Sequence, residues 1–82
     1  MNKITYVKLD IAKPKDVDPI KLVQILKNKL RYKVTLSIDE RETNIDNGHL
    51  EFFGKSLDVE KIVKTVEELG IIYNGIDEIR IE

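Results

Sequence analysis

Apolar and polar positions alternate from residue 3 to residue 11, with Thr5, Val7, Leu9 and Ile11 on one side and Ile4, Tyr6, Lys8 and Asp10 on the other. A period of two predicts a half-buried strand. Lys13-Pro14-Lys15-Asp16 interrupts the pattern, and Asp18-Pro19 marks a helix start. Asp caps free N–H groups, and Pro presets φ at the first helical position. Leu22, Val23, Leu26 and Leu30 recur on one helical face, so this helix should end near Leu30 or Arg31. Lys33 to Asp39 alternates again, with Val34, Leu36 and Ile38 against Thr35, Ser37 and Asp39. The polar stretch Glu40 to Asp46 leads to Asn47-Gly48, a pair that favours tight hairpin turns. His49 to Phe53 then predicts a third strand, with Leu50 and Phe52 inward and His49, Glu51 and Phe53 outward. Asp58 opens a second helix with the stripe Val59, Ile62, Val63, Val66 and Leu69, and Gly70 suits a left-handed cap. The last strand runs from about Ile71 to Ile81. Its phase slips between Ile76 and Ile79, which predicts a bulge beside Asn74-Gly75.

Both helix starts follow one plan. Val17-Asp18 with Leu22, and Leu57-Asp58 with Ile62, each pair a capping Asp with an apolar staple. The order is therefore β-α-β twice over. A hairpin and two right-handed crossovers give an α+β, ferredoxin-like βαββαβ sandwich. Its four-stranded antiparallel sheet has the order 4-1-3-2, with both helices on one face. Residues 1–82 should form this single domain, with no internal linker or low-complexity segment.

Composition narrows the chemistry. The apolar share of 41% supports one core, although a domain of this size hides only ~60% of its unfolded surface and needs tidy packing, a metal, disulfides or self-association. The absence of cysteine excludes disulfides, thiolate zinc sites and iron–sulfur clusters, and one histidine excludes a histidine-rich metal centre. No apolar run approaches the ~20 residues needed to cross a bilayer, and the start leads into a strand and not a signal peptide, so a soluble cytoplasmic protein is expected. The net charge of −1 lacks the basic excess typical of non-specific nucleic-acid binding.

The topology gathers Asp10, Asp16, Asp39, Glu40, Glu42, Asp46 and His49 at or near one end of the sheet. Asp10, Asp39, Asp46 and His49 are the candidate ligands there for calcium or magnesium, which take oxygen donors. The Asp-x-Asp-x-Asp-Gly spacing of a dedicated calcium loop is missing, and acidic residues also populate turns for backbone reasons. His49 beside Asp46 suggests acid–base chemistry, but no motif supplies a nucleophile. Asp77-Glu78 would add a ligand or simply fill a solvent-facing edge. The four glycines form no phosphate-cradling array.

The open sheet face invites comparison with RNA-recognition domains, which stack bases on aromatics of the two central strands. Tyr6-Val7-Lys8-Leu9 looks like the shorter of their motifs, whereas Gly48-His49-Leu50-Glu51-Phe52-Phe53 places a histidine and an acid where stacking aromatics belong. Tyr6 and Phe53, next to Thr35 and Ser37, also make a half-apolar surface for contact with another subunit. The unpaired edge of the last strand is a second such surface.

Leu9-Asp10-Ile11-Ala12-Lys13-Pro14, Leu57-Asp58-Val59-Glu60-Lys61-Ile62 with Glu67-Glu68-Leu69-Gly70, Ile76-Asp77-Glu78-Ile79, and Asp39-Glu40-Arg41-Glu42-Thr43 together resemble the small archaeal family termed domain of unknown function 211. Gly75 and Asn74 depart from that family's serine and histidine. The resemblance implies a ferredoxin-like fold and a homo-oligomer, and it carries no activity to transfer. The leading expectation is a non-enzymatic, self-associating domain that binds a small ligand or divalent cation. The alternative is nucleic-acid binding through the open face.

Overall fold

The computed structural model describes residues 2–82 and contains β1 (Ile4–Pro14), α1 (Pro19–Leu30), β2 (Lys33–Arg41), β3 (Ile45–Phe53), α2 (Val59–Glu68) and β4 (Ile72–Ile81). The sheet is antiparallel in the order β2-β3-β1-β4. Both crossovers carry a helix onto the same face. Leu22, Leu26 and Leu30 of α1 and Ile62 and Val66 of α2 bury against Val7, Leu9, Ile11, Leu50 and Phe52 of the central strands. Phe52 is fully buried, which contributes about 1.5–3 kcal/mol relative to leaving it exposed. This is a ferredoxin-like α+β sandwich with one open sheet face.

Both helix starts form as the duplicated pattern predicts. The Asp18 carboxylate accepts hydrogen bonds from the Ile20 and Lys21 N–H groups at 2.9 and 3.3 Å, and Asp58 accepts from Lys61 N–H at 3.1 Å. Val17 and Leu57 pack into the core on the same side as Leu22 and Ile62. The two helices end differently. Gly70 (φ 85°) follows α2 and takes the left-handed conformation without a Cβ penalty. After α1 the left-handed residue is Arg31 (φ 65°, ψ 27°), whose N–H donates to the Lys27 carbonyl at 2.9 Å. That conformation costs a non-glycine residue about 1 kcal/mol.

The hairpin departs from the expected one. Asn47-Gly48 is not the turn: both residues lie inside β3, and the chain reverses at residues 42–44, closed by Glu42 N–H to the Ile45 carbonyl at 2.9 Å. β2 and β3 are accordingly longer than the alternation alone indicated. Gly48 is needed for close approach instead, because a Cβ there would lie 2.0 Å from the Ser37 carbonyl oxygen. The crowding coincides with a bulge, since Gly48 pairs with Ile38 and the next pair is Asn47 with Glu40, leaving Asp39 as the extra residue.

Three irregularities mark the β1–β4 ladder. The predicted slip is real. Glu78 pairs with Lys8 and Ile76 with Leu9, so Asp77 is the extra residue; a second bulge falls at Asn74. These two insertions put Tyr73, Ile76 and Ile79 on the helix side, opposite Ile11, Leu9 and Val7. The third irregularity falls at Thr5, and it overturns the simple alternation at the start of β1: Ile4 packs against the core.

Candidate functional site

The open face is organised around two side-chain groups. Toward one end, His49 of β3 lies between carboxylates from both edge strands. Its Nδ1 is 2.5 Å from Asp39 Oδ2 of β2, and its Nε2 is 2.7 Å from Asp77 Oδ2 of β4. The bulges at Asp39 and Asp77 explain how edge residues reach a central strand, because a bulge re-aims the side chain of its extra residue. Asp10 and Ser37 are the direct cross-strand partners of His49.

Of the four candidate cation ligands, the structure places Asp10, Asp39 and His49 together and sends Asp46 to the opposite side. Asp46 belongs to the same alternating set as Gly48, Leu50 and Phe52, which faces the helices. There its carboxylate pairs with Lys15 at 2.5 Å and with Lys13 at 3.5 Å. The hydrogen bond from Lys15 holds the Asp46 carboxyl below the usual range, outweighing desolvation, with Lys13 adding to the effect. Lys13 is itself buried and also donates to the carbonyls of Pro14 and Val17 at 3.0 and 2.7 Å, tying the end of β1 to the entry of α1. Among the described residues, no group of three or more His, Asp or Glu side chains is arranged to hold a metal ion.

Toward the other end of the open face, Tyr6 is 5% exposed. Its ring lies 4.9 Å from Phe53, the Arg80 guanidinium sits 5.0 Å above it, and its hydroxyl donates to Glu51. Burial, with the Glu51 hydrogen bond and charge, pushes the phenol up to about 12. Lys33 lies 5.7 Å over the Phe53 ring. A base stacking on Tyr6 would have to displace Arg80.

The remaining feature is the β4 edge. Ile72, Ile76, Ile79 and Ile81 are 49%, 42%, 44% and 55% exposed, on a strand with β1 on one side and, among the described residues, no strand on the other. The slip in phase was the readable sign of this edge. The role of Asp77 as a bulge residue aimed at His49 was not readable, because it depends on which strand lies alongside.

Fold and surfaces define a small ferredoxin-like domain with an open, partly ion-paired sheet face and an apolar sheet edge. The family model for domain of unknown function 211, described as uncharacterised ArCR, matches residues 5–81, and the chain belongs to that family. Comparison with the curated proteins gives no significant match. No helix among the described residues is long and apolar enough to cross a membrane.

Proposed function

We propose that this chain is a non-enzymatic, self-associating domain whose copies pair through β4. The observation that carries the reading is the run of exposed isoleucines on an unpaired strand edge. Such an edge presents free N–H and C=O groups to any strand that can align with it. The residues are self-complementary in one antiparallel register. With a two-fold axis at Ile79, Ile79 meets its own copy and Glu78 lies opposite Arg80 twice over. The bulge at Asp77 lets Ile76 fall opposite Ile81. Apolar residues then meet on the helix side and opposite charges on the open side, each cross-strand pair contributing about 0.2–1 kcal/mol.

A divalent cation at Asp10, Asp39 and His49 has less support. It would have to break the hydrogen bond between the imidazole and Asp77 and draw Asp39 away from the ring, without help from Asp46. Titration calorimetry with calcium and magnesium is the direct check, and heat that vanishes in Asp39→Asn would restore that reading.

The chain contains no cysteine, so Ile79→Cys tests the register directly. Oxidation should join two copies through a single disulfide, and Ile79→Lys should elute at the monomer mass by light scattering. A wild-type chain that stays monomeric at high concentration removes the proposal.

A further inference from the structure

The corner where α1 turns into β2 holds an open cleft of about 920 Å³ lined by Lys27, Asn28, Arg31, Tyr32, Lys33 and Val34. Three of these six residues are cations and none is an acid. Among the described residues, no carboxylate pairs with any of the three. In a chain of net charge −1, this is a local cluster of three cations with no carboxylate of the described residues in salt-bridge reach. The geometry points to a binding site for a small, multiply charged phosphoryl anion in this cleft.

Each lining group has a part to play. Arg31 supplies a planar fork that matches two phosphoryl oxygens, and Lys27 and Lys33 line the same cleft as point charges. Asn28 adds amide donors. The Tyr32 hydroxyl accepts a hydrogen bond from Asp58 N–H at 3.1 Å, which leaves its own proton available to donate. Position also matters. Arg31 occupies the left-handed position after α1, where glycine or asparagine is the usual choice. An arginine there gives up backbone ease and places a guanidinium at the cleft.

A simpler account makes these cations partners of the negative helix end. It covers Lys27 and Lys29, the basic residues in the last turn of α1. It does not cover Lys33, which stands in β2 with its amine over Phe53. The cleft lies beside β2, the sheet edge opposite β4, so occupancy does not compete with pairing through β4.

Titration of the full chain with inorganic pyrophosphate, followed by amide NMR, tests the site. Resonances of residues 27–34 should move saturably. Arg31→Asn, which keeps a residue tolerant of the left-handed conformation, should weaken binding about tenfold, and Lys27→Gln combined with Lys33→Gln should abolish it. Lys64→Gln, on α2, should change nothing. Thermal melts of each variant separate lost binding from lost folding. Absence of shifts at millimolar pyrophosphate overturns the proposal, as does binding of undiminished affinity in a folded Arg31→Asn protein. Citrate binding as tightly as pyrophosphate would overturn the phosphoryl assignment.

Discussion

Along β2, the outer edge beside β3, stand Lys33, Asp39, Glu40 and Arg41, while Val34, Leu36 and Ile38 are half-buried on the side that faces α1. Along β4, the outer edge beside β1, stand Ile72, Ile76, Ile79 and Ile81, all substantially exposed, with Asp77, Glu78 and Arg80 between them. Charged side chains along an edge discourage a foreign strand. β2 has that protection at both ends, whereas β4 has it only in its second half, and its first half is uncharged. Bulges also blunt edges, and β4 carries two, but its segment from Glu78 to Ile81 lies beyond them. One sheet thus has an edge with charges at both ends and an edge that exposes isoleucines, and the proposed pairing uses the second.

The most damaging way to disturb this contrast is at Gly48. Gly48→Ala drives a methyl group into the Ser37 carbonyl oxygen and should pry β2 from β3, lowering stability by about 3 kcal/mol in urea denaturation. An unchanged midpoint would mean that the close approach relaxes freely. Next comes Ile79→Lys, which should abolish self-association yet alter the stability of the single subunit by no more than about 0.5 kcal/mol, because the residue is already 44% exposed. Thr35→Ile, an apolar change on the guarded edge, should leave the assembly as it was. If it creates a new oligomer by light scattering, the charges of β2 do not protect it.

Acid probes the tie between β1 and β3. Asp46 is depressed by Lys15 and Lys13, so the folded state favours its ionised form. Its contribution is present above the unfolded carboxylate value of about 3.9 and fades as pH falls through the lower folded value. Wild type should therefore lose stability in that range, and Asp46→Asn should show a shallower acid slope. Alkali tests the opposite sign at Tyr6. Its folded value of about 12 lies above the ordinary 10.0, so its contribution is intact below pH 10 and disappears as pH rises through about 12. Ultraviolet titration should find one of the three tyrosines ionising late, and Tyr6→Phe should remove that late step. The smallest effect belongs to the His49 array, where a double-mutant cycle of His49→Gln with Asp77→Asn should report coupling of about 0.5 kcal/mol. Zero coupling would reduce the pair to a crossing of two solvated side chains.

Much of the fold was legible from local signals. The paired staples at Val17-Asp18 and Leu57-Asp58 announced both helices, and the skipped beat between Ile76 and Ile79 announced the bulged edge. The candidate site was harder to read, and the error began at Asn47-Gly48. Treating that pair as a turn left Asp46 beside His49. Once both residues lie in one strand, Asp46 and His49 are three positions apart and must face opposite sides. Gly48 misled because glycine serves two needs, positive φ in turns and close backbone approach in sheets. Only the neighbouring strand shows which need applies.

By itself the sequence determined the order of elements, their caps, their buried stripes and the existence of an irregular last strand, because these follow from spacing and backbone preference within a few residues. Tertiary structure alone decided that Asp39 and Asp77 converge on His49 and that Asp46 joins Lys13 and Lys15 on the helix side of the sheet. Those groupings depend on register across strands, and a single inserted residue in a ladder redirects a side chain in a way that no local pattern records.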